Sequence, residues 1–349
     1  MDTIIRTGIC SFGMSGQLFQ APFLASHPGF DLAAIVERHR QDSRETYPQA
    51  TLYRSVEALL EDATIGLVIV NTPVQTHYEY ARAALLAGKH VVVEKPFTVT
   101  SREGMELDEL ARERDLLLSV YQNRRYDGDF RAVRSVLRQG WLGEVREMEM
   151  RFDRYRPGAS GKQHKEGSLP GAGTLYDLGP HLIDQALRFF GWPRAVFADI
   201  WIMRQDVYAD DYFELLFYYD RLRVRIKSTC IARESYPAYI VHGMKGSFLQ
   251  QRSDRQEKAL MEGVLPTQAS WCPPPAEPDG LLHAEIDGSV VRRSTTSEAG
   301  NYMGFFDDLY RALTGQGENP VPAADGIATI RLIEAARQSA AEGKIISVA

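Results

Sequence analysis

The chain has 349 residues, 44% hydrophobic and 25% charged, a balance that excludes a disordered, collagen-like or coiled-coil protein and supplies enough chain for two cores. Lys plus Arg number 40 and Asp plus Glu 46, so the net charge of −6 argues against a nucleic-acid partner, which needs a broad positive field. Cys10, Cys230 and Cys272 are too dispersed for a disulfide framework or a zinc site, and no apolar run approaches the roughly 20 residues that span a bilayer. The expectation is a cytoplasmic protein without a membrane partner or a metal.

In chain order, the apolar run 4–10 predicts a strand, the turn 11–16 follows it at once, and 17–25 predicts a helix. Further short apolar runs at 32–36, 67–70, 90–93 and 116–120 predict strands, with helices over 56–61 and 78–87, the latter closed by Gly88. Nearly all-apolar strands alternating with helices predict an α/β Rossmann domain, a doubly wound parallel sheet, over residues 1–121. Beyond Gln122 the texture changes. Segments 145–153, 195–203, 211–219 and 222–230 alternate apolar with polar residues, which predicts an α+β domain over 122–349 on an open, antiparallel sheet with helices on one side. The proline-rich stretch 272–278 reads as a surface connection, and Ile327, Ile330, Ile333 and Ala336 give 326–342 the spacing of a closing helix.

The turn Ser11-Phe12-Gly13-Met14-Ser15-Gly16 is a degenerate dinucleotide fingerprint, because serine stands where the first glycine belongs. Serine makes such a turn if its backbone angles stay negative. Glu37 lies 37 − 16 = 21 residues past Gly16, where a carboxylate accepts from the adenosine ribose hydroxyls. Arg38 and Arg40 beside it suit a 2′-phosphate instead, so Glu37 tips the balance toward NAD and leaves NADP open. Two further turns follow strands at the carboxyl edge where ligands of such sheets bind: Asn71-Thr72-Pro73 with His77, and Glu94-Lys95-Pro96. Pro96 disfavours helical geometry at Lys95, so that lysine is presented from an extended turn beside the Glu94 carboxylate.

Together these turns, the run Gly171-Ala172-Gly173-Thr174-Leu175-Tyr176-Asp177-Leu178-Gly179-Pro180-His181, and the later Gly300-Asn301-Tyr302 and Asn319-Pro320-Val321 resemble the Gfo/Idh/MocA family of nicotinamide-dependent sugar and polyol oxidoreductases. The resemblance extends over nearly the whole chain. Asn123-Arg124-Arg125 and the run from Phe152 through Arg154, Tyr155 and Arg156 to Pro157 are most similar to its NADP-dependent scyllo-inositol dehydrogenase branch.

The resemblance implies an N-terminal Rossmann domain and a C-terminal domain on a large, mostly antiparallel sheet, through which members pair as dimers or tetramers. It implies NAD or NADP held by residues 11–16, Glu37, Arg38, Asn71, Thr72, Pro73, His77, Glu94, Lys95 and Asn123. A sugar or polyol would meet Arg124, Arg154, Tyr155, Arg156 and Asp177, with Lys95, Asp177 and His181 acting in catalysis. Ser11, Gln20 and Ala172 depart from the family pattern, Gln20 where relatives often carry histidine.

Chemistry supports these roles. Asp177 and His181 are 181 − 177 = 4 apart, so on a continuous helix they share a face. A histidine beside a carboxylate suits a general base, and Lys95 suits a developing alkoxide. The plainer alternative makes Asp177 a helix cap and His181 a core histidine, while Lys162, His164 and Lys165 read as a solvated loop. The expected function is hydride transfer between a nicotinamide and a secondary hydroxyl or ketone of an inositol-like polyol or sugar. A non-enzymatic NAD(P)-binding sensor and a redox-neutral, NAD-dependent glycoside hydrolase remain open as alternatives.

Overall fold

A computed structural model describes residues 3–234, 236–268 and 270–349. The chain divides into two compact units: residues 1–123, 256–271 and 301–328 form the first, and 124–255, 272–300 and 329–349 the second.

In the first unit six parallel strands run in the order β3-β2-β1-β4-β5-β6. They are β1 (Ile5–Ile9), β2 (Phe30–Val36), β3 (Thr51–Tyr53), β4 (Leu67–Val70), β5 (His90–Glu94) and β6 (Leu118–Tyr121). Every residue of β4 is buried and the three valines of β5 are fully so, the signature of strands covered on both faces. The order reverses between β1 and β4, and an open parallel sheet binds ligands in the crevice at such a reversal. Residues 11–16 follow β1 and Asn71 follows β4, so both lie at this point. Segment 301–328 completes the core: Phe306 stacks on Phe23 at 5.3 Å, Phe305 meets Tyr121 edge-on at 4.8 Å, and Val120 N–H donates to the Val321 carbonyl at 2.9 Å.

The second unit is built on nine strands in the order β14-β13-β12-β11-β7-β10-β9-β8-β15. These are β7 (Val145–Arg151), β8 (Ala195–Trp201), β9 (Tyr212–Tyr218), β10 (Arg223–Thr229), β11 (Tyr239–Gly243), β12 (Gly246–Gln250), β13 (Gly280–Ile286), β14 (Ser289–Thr295) and β15 (Ile346–Ser347). Neighbours are antiparallel except β7 and β10. Alternation decides the faces. Met148, Met150, Phe213, Leu215, Phe217, Val224 and Ile226 turn inward onto a core shared with the helices Gly128–Arg138 and Gly179–Phe190. Polar neighbours turn outward as cross-strand pairs, Glu214 with Arg225 and with Lys227 at 3.4 Å.

The predicted fold class is therefore the observed one. The expected closing helix is Ala323–Glu342, with Ile330, Ile333 and Ala336 in the second core. Residues 272–279 form an irregular connection into β13. Among the described residues no helix is long and apolar enough to cross a membrane.

Candidate active site

Each unit carries its own set of the expected residues. In the first, Ser11 keeps a negative φ, and its hydroxyl accepts from the Gly13 N–H at 3.3 Å while its carbonyl accepts from Asn71 Nδ2 at 2.8 Å. Serine is thus compatible with the turn, because the conformation there does not require glycine. Gly16 is different: a Cβ would overlap the Ser11 carbonyl oxygen, so only glycine lets the chain enter the π-helical turn Gly16–Gln20 so close to β1. Over Gly13 the space is open to within 3.5 Å of the Ser11 hydroxyl, and Phe12 is buried while Met14 is half exposed.

Glu94 ends β5 and ties this turn to the lysine. Its Oε1 accepts from the Ser15 hydroxyl and from Gln20 Nε2 at 3.0 Å, and its Oε2 from the Lys95 N–H at 3.2 Å. Gln20 and Glu94 are both buried, so these are hydrogen bonds in a water-poor setting. The Lys95–Pro96 peptide is cis. His77 braces the same region: its Nδ1 lies 2.9 Å from the Pro96 carbonyl and its Nε2 2.8 Å from that of Thr72, while the Thr72 hydroxyl bonds Thr76 at 2.8 Å. Burial holds the His77 pKa below that of an ordinary imidazole, although the carbonyls of Thr72 and Pro96 pull the other way. Both ring nitrogens are thus engaged by main chain of the Asn71-Thr72-Pro73 and Lys95-Pro96 turns.

Glu37, also buried, is engaged within its own loop. It accepts from Asp42 N–H at 3.1 Å and from the N–H of Ser43 at 3.0 Å and its hydroxyl. Arg38 stays exposed, with Nη2 donating to the Tyr80 hydroxyl at 3.1 Å.

The amide oxygens Gln20 Oε1 and Asn71 Oδ1 in this unit are buried without a hydrogen-bond partner, an arrangement that costs roughly 1–3 kcal/mol each unless a donor arrives. Open backbone over Gly13, the close approach enforced by Gly16 and these two acceptors fit a dinucleotide. They supply room for the pyrophosphate and acceptors for the dinucleotide's ribose hydroxyl and carboxamide donors.

In the second unit Asn123 opens a short 3₁₀ turn, Asn123–Tyr126, although Asn123 itself clusters with the first. Arg124 pairs with buried Asp127 at 3.2 Å, and Arg125 donates to the two oxygens of Asp184 from Nε, at 2.8 Å, and Nη2. Phe152 then gathers three guanidinium groups over its ring, those of Arg124, Arg154 and Arg252, at 4.8, 5.2 and 4.1 Å. Arg154 Nη1 also donates to Asp177 Oδ2 at 3.3 Å. Tyr155 lies under Arg233 at 4.0 Å, and Arg156 is exposed, its N–H bonded to the Cys230 carbonyl at 2.7 Å.

Asp177 and His181 do not share one helix. Thr174–Asp177 is a single turn, Leu178 intervenes, and Gly179–Phe190 begins afresh with Pro180 in its first turn. Leu178, not Asp177, sits at the cap. His181 is buried in that first turn, and the same helix is pinned by Asp184 on Arg125 and by Gln185 Nε2 on the Arg124 carbonyl at 3.1 Å. Gly173 needs its freedom, since φ is +102° and a Cβ would meet the Asp210 carboxylate; Ala172 has no such demand, which explains how it replaces a glycine. Lys162, His164 and Lys165 are exposed, as a solvated loop requires, and Lys165 Nζ also lies 3.1 Å from Asp177 Oδ1. Arg252 carried no sequence signal, because the Phe152 ring it covers lies a hundred residues earlier in the chain.

Residues 5–122 match the oxidoreductase family's NAD-binding Rossmann fold, and residues 134–348 its C-terminal alpha/beta domain. The chain is 38% identical over 340 residues to the uncharacterized oxidoreductase YdgJ of Escherichia coli (strain K12), 97% of each chain being covered. It is 37% identical over 348 residues to the scyllo-inositol 2-dehydrogenase (NADP(+)) IolW of Bacillus subtilis (strain 168), covering 99% of this chain and 96% of that one. The crystal structure of an oxidoreductase from Bacillus cereus aligns over 99% of both chains with a TM-score of 0.90 at 30% identity. The cofactor turn, the lysine turn and both domain matches agree: this chain belongs to the Gfo/Idh/MocA family of oxidoreductases.

Proposed function

We propose that the chain is an NAD(P)-dependent dehydrogenase or reductase acting on a secondary hydroxyl or ketone of a sugar or cyclic polyol. The observation that carries this reading is the Glu94 carboxylate, which joins Ser15 and Gln20 of the cofactor turn to the backbone of Lys95. A dedicated buried carboxylate that fixes a lysine to a dinucleotide turn has little use in a protein that only stores a nucleotide.

The bound nicotinamide supplies or takes up the hydride. The main chain of 11–16 would face the pyrophosphate, and Asn71 and Gln20 would offer their buried oxygens to the ribose hydroxyls and carboxamide of the dinucleotide. Lys95 donates to the substrate oxygen and stabilises charge developing there. His181 holds the alcohol proton at a ring nitrogen, a transfer that contributes about 10²–10⁴-fold. Asp177 orients the neighbouring hydroxyls, with Arg124, Arg154, Tyr155 and Arg156 supplying further substrate contacts.

For the cofactor, the buried Glu37 carboxylate is committed to the 42–43 loop, whereas Arg38 is exposed beside it, so the phosphorylated form is favoured. IolW, similar along its length, is named for NADP(+). The outer face of the nine-stranded sheet, with Phe197 and Trp201 exposed on β8, would pair copies of the chain, which light scattering of dilute protein tests.

Turnover of inositols, glucose and aldonates with NAD and NADP in parallel tests the reading. Lys95→Ala and His181→Ala should each lower kcat at least ~100-fold, and in His181→Ala the cofactor Kd should stay near the wild-type value. Wild-type turnover by both variants sinks the assigned roles, and NAD preference sinks the cofactor choice.

A further inference from the structure

The loop ahead of Asp177 is charged against the trend of the molecule. Over residues 154–166 it carries Arg154, Arg156, Lys162 and Lys165 against Glu166 alone, 4 − 1 = +3, in a chain whose net charge is −6. Its one carboxylate is used internally: Glu166 accepts from the Ser160 N–H and hydroxyl, both at 2.6 Å, and from Arg204 Nη2 at 3.1 Å. Arg204 is buried and clamps the loop further, with Nη1 on the carbonyls of Arg156 and Gly158 at 3.1 and 3.0 Å and Nε on Asp211 at 2.8 Å.

The clamp delivers cations to one place. Lys165 Nζ and Arg154 Nη1 face the two oxygens of Asp177 at 3.1 and 3.3 Å, and the Lys165 side chain is still 45% exposed. His164 stands in the same field: burial first, then the charges of Lys165 and Lys162, hold its pKa below the ordinary imidazole value, while Asp177 acts in the opposite sense.

We propose that the substrate carries a carboxylate or phosphate in addition to its reacting hydroxyl, and that Lys165 and Arg154 bind that group beside Asp177. A neutral polyol meets this surface with dipoles alone. An anion completes it: the arginine fork matches the geometry of carboxylate or phosphate oxygens, the ammonium adds a point charge, and the positive lip raises the local concentration of anions. This deepens the dehydrogenase reading and rests on it for the reacting carbon.

The test compares neutral inositols and glucose with aldonates, uronates and sugar phosphates, by turnover with NADP or NADPH and by calorimetric binding to the cofactor-loaded protein. An anionic member should show kcat/KM at least ~10-fold above its neutral counterpart, eroded by 0.5 M salt, since exposed charges are screened. Lys165→Gln should lose at least tenfold more on the anionic substrate than on the neutral one, mainly through KM, and Lys165→Arg should restore the ratio. Turnover confined to neutral polyols, or equal losses on both classes, overturns the proposal and leaves the dehydrogenase reading standing. Salt-sensitive anion binding lost in Lys165→Gln, with no turnover of any compound, supports the anion site and removes the dehydrogenase reading. The aldonate and phosphate arms identify which anion is taken.

Discussion

Asp279, at the end of the proline-rich connection, is buried and accepts from Gln250 Nε2 at 2.7 Å, from the Ser253 hydroxyl, and from the N–H (2.8 Å) and hydroxyl of Ser297. Burial alone would raise its pKa, but the hydrogen bonds from Ser253, Ser297 and Gln250 outweigh it and hold the carboxyl below its usual 3.8. A depressed folded-state pKa stabilises the protein fully above the unfolded value and ceases to do so as pH falls through the folded one. Asp279→Asn should therefore cost about 1–3 kcal/mol at pH 7, and urea denaturation should show the gap between variant and wild type narrowing once pH falls below 3.8. An equal gap at both pH values would mean that the charge contributes nothing. Single residues were legible in the sequence where the constraint is local, as at Gly16, whose Cβ would meet the Ser11 carbonyl oxygen. They were not where the fold has to bring a partner in: the Asp42 and Ser43 donors to Glu37 and the Asp177 carboxylate beside Lys165 have no signature in the sequence.

At the scale of elements, Arg204 makes 156–166 one fixed piece, and its loss has two separable effects. Arg204→Ala strips buried Asp211 of its cation, a change worth about 3–5 kcal/mol for a buried pair, and releases the carbonyls of Arg156 and Gly158. Limited trypsin digestion should then cut after Lys162 or Lys165 at least ~10-fold faster than in wild type, because opening of a segment follows the free energy that holds it. Unchanged cleavage would show that other contacts fix the loop. Five strands of the first sheet were legible as short, largely apolar runs and β7 to β10 because they alternate, whereas the three-residue β3 (Thr51–Tyr53) was not predicted. Five later strands, β11 to β15, were not predicted, although Asp287-Gly288, both at positive φ (52° and 77°), is the turn signal between β13 and β14. β14 itself, SVVRRST, exposes most of its side chains, so hydrophobic periodicity has nothing to report there.

For the whole molecule, the sequence suggests one change of texture near Gln122, whereas the first unit takes back 256–271 and 301–328 after most of the second has been made. No periodicity marks that return, since Tyr302, Phe305 and Phe306 would suit either core. Their partners are Phe23 and Tyr121, and Val321 bonds the edge of β6. Truncating one buried phenylalanine typically costs 3–5 kcal/mol, and a domain's whole stability is of order 5–15 kcal/mol, so losing three aromatics and the edge segment together exceeds what the first unit holds in reserve. Residues 1–123 expressed alone should therefore show no cooperative thermal transition and should bind a dye for exposed apolar surface. Joining 301–328 to that fragment through a flexible linker should restore a sigmoidal melt. A cooperative melt of 1–123 alone would instead show that the six-stranded sheet with its own helices is self-sufficient, and that the returning segments serve something other than the core.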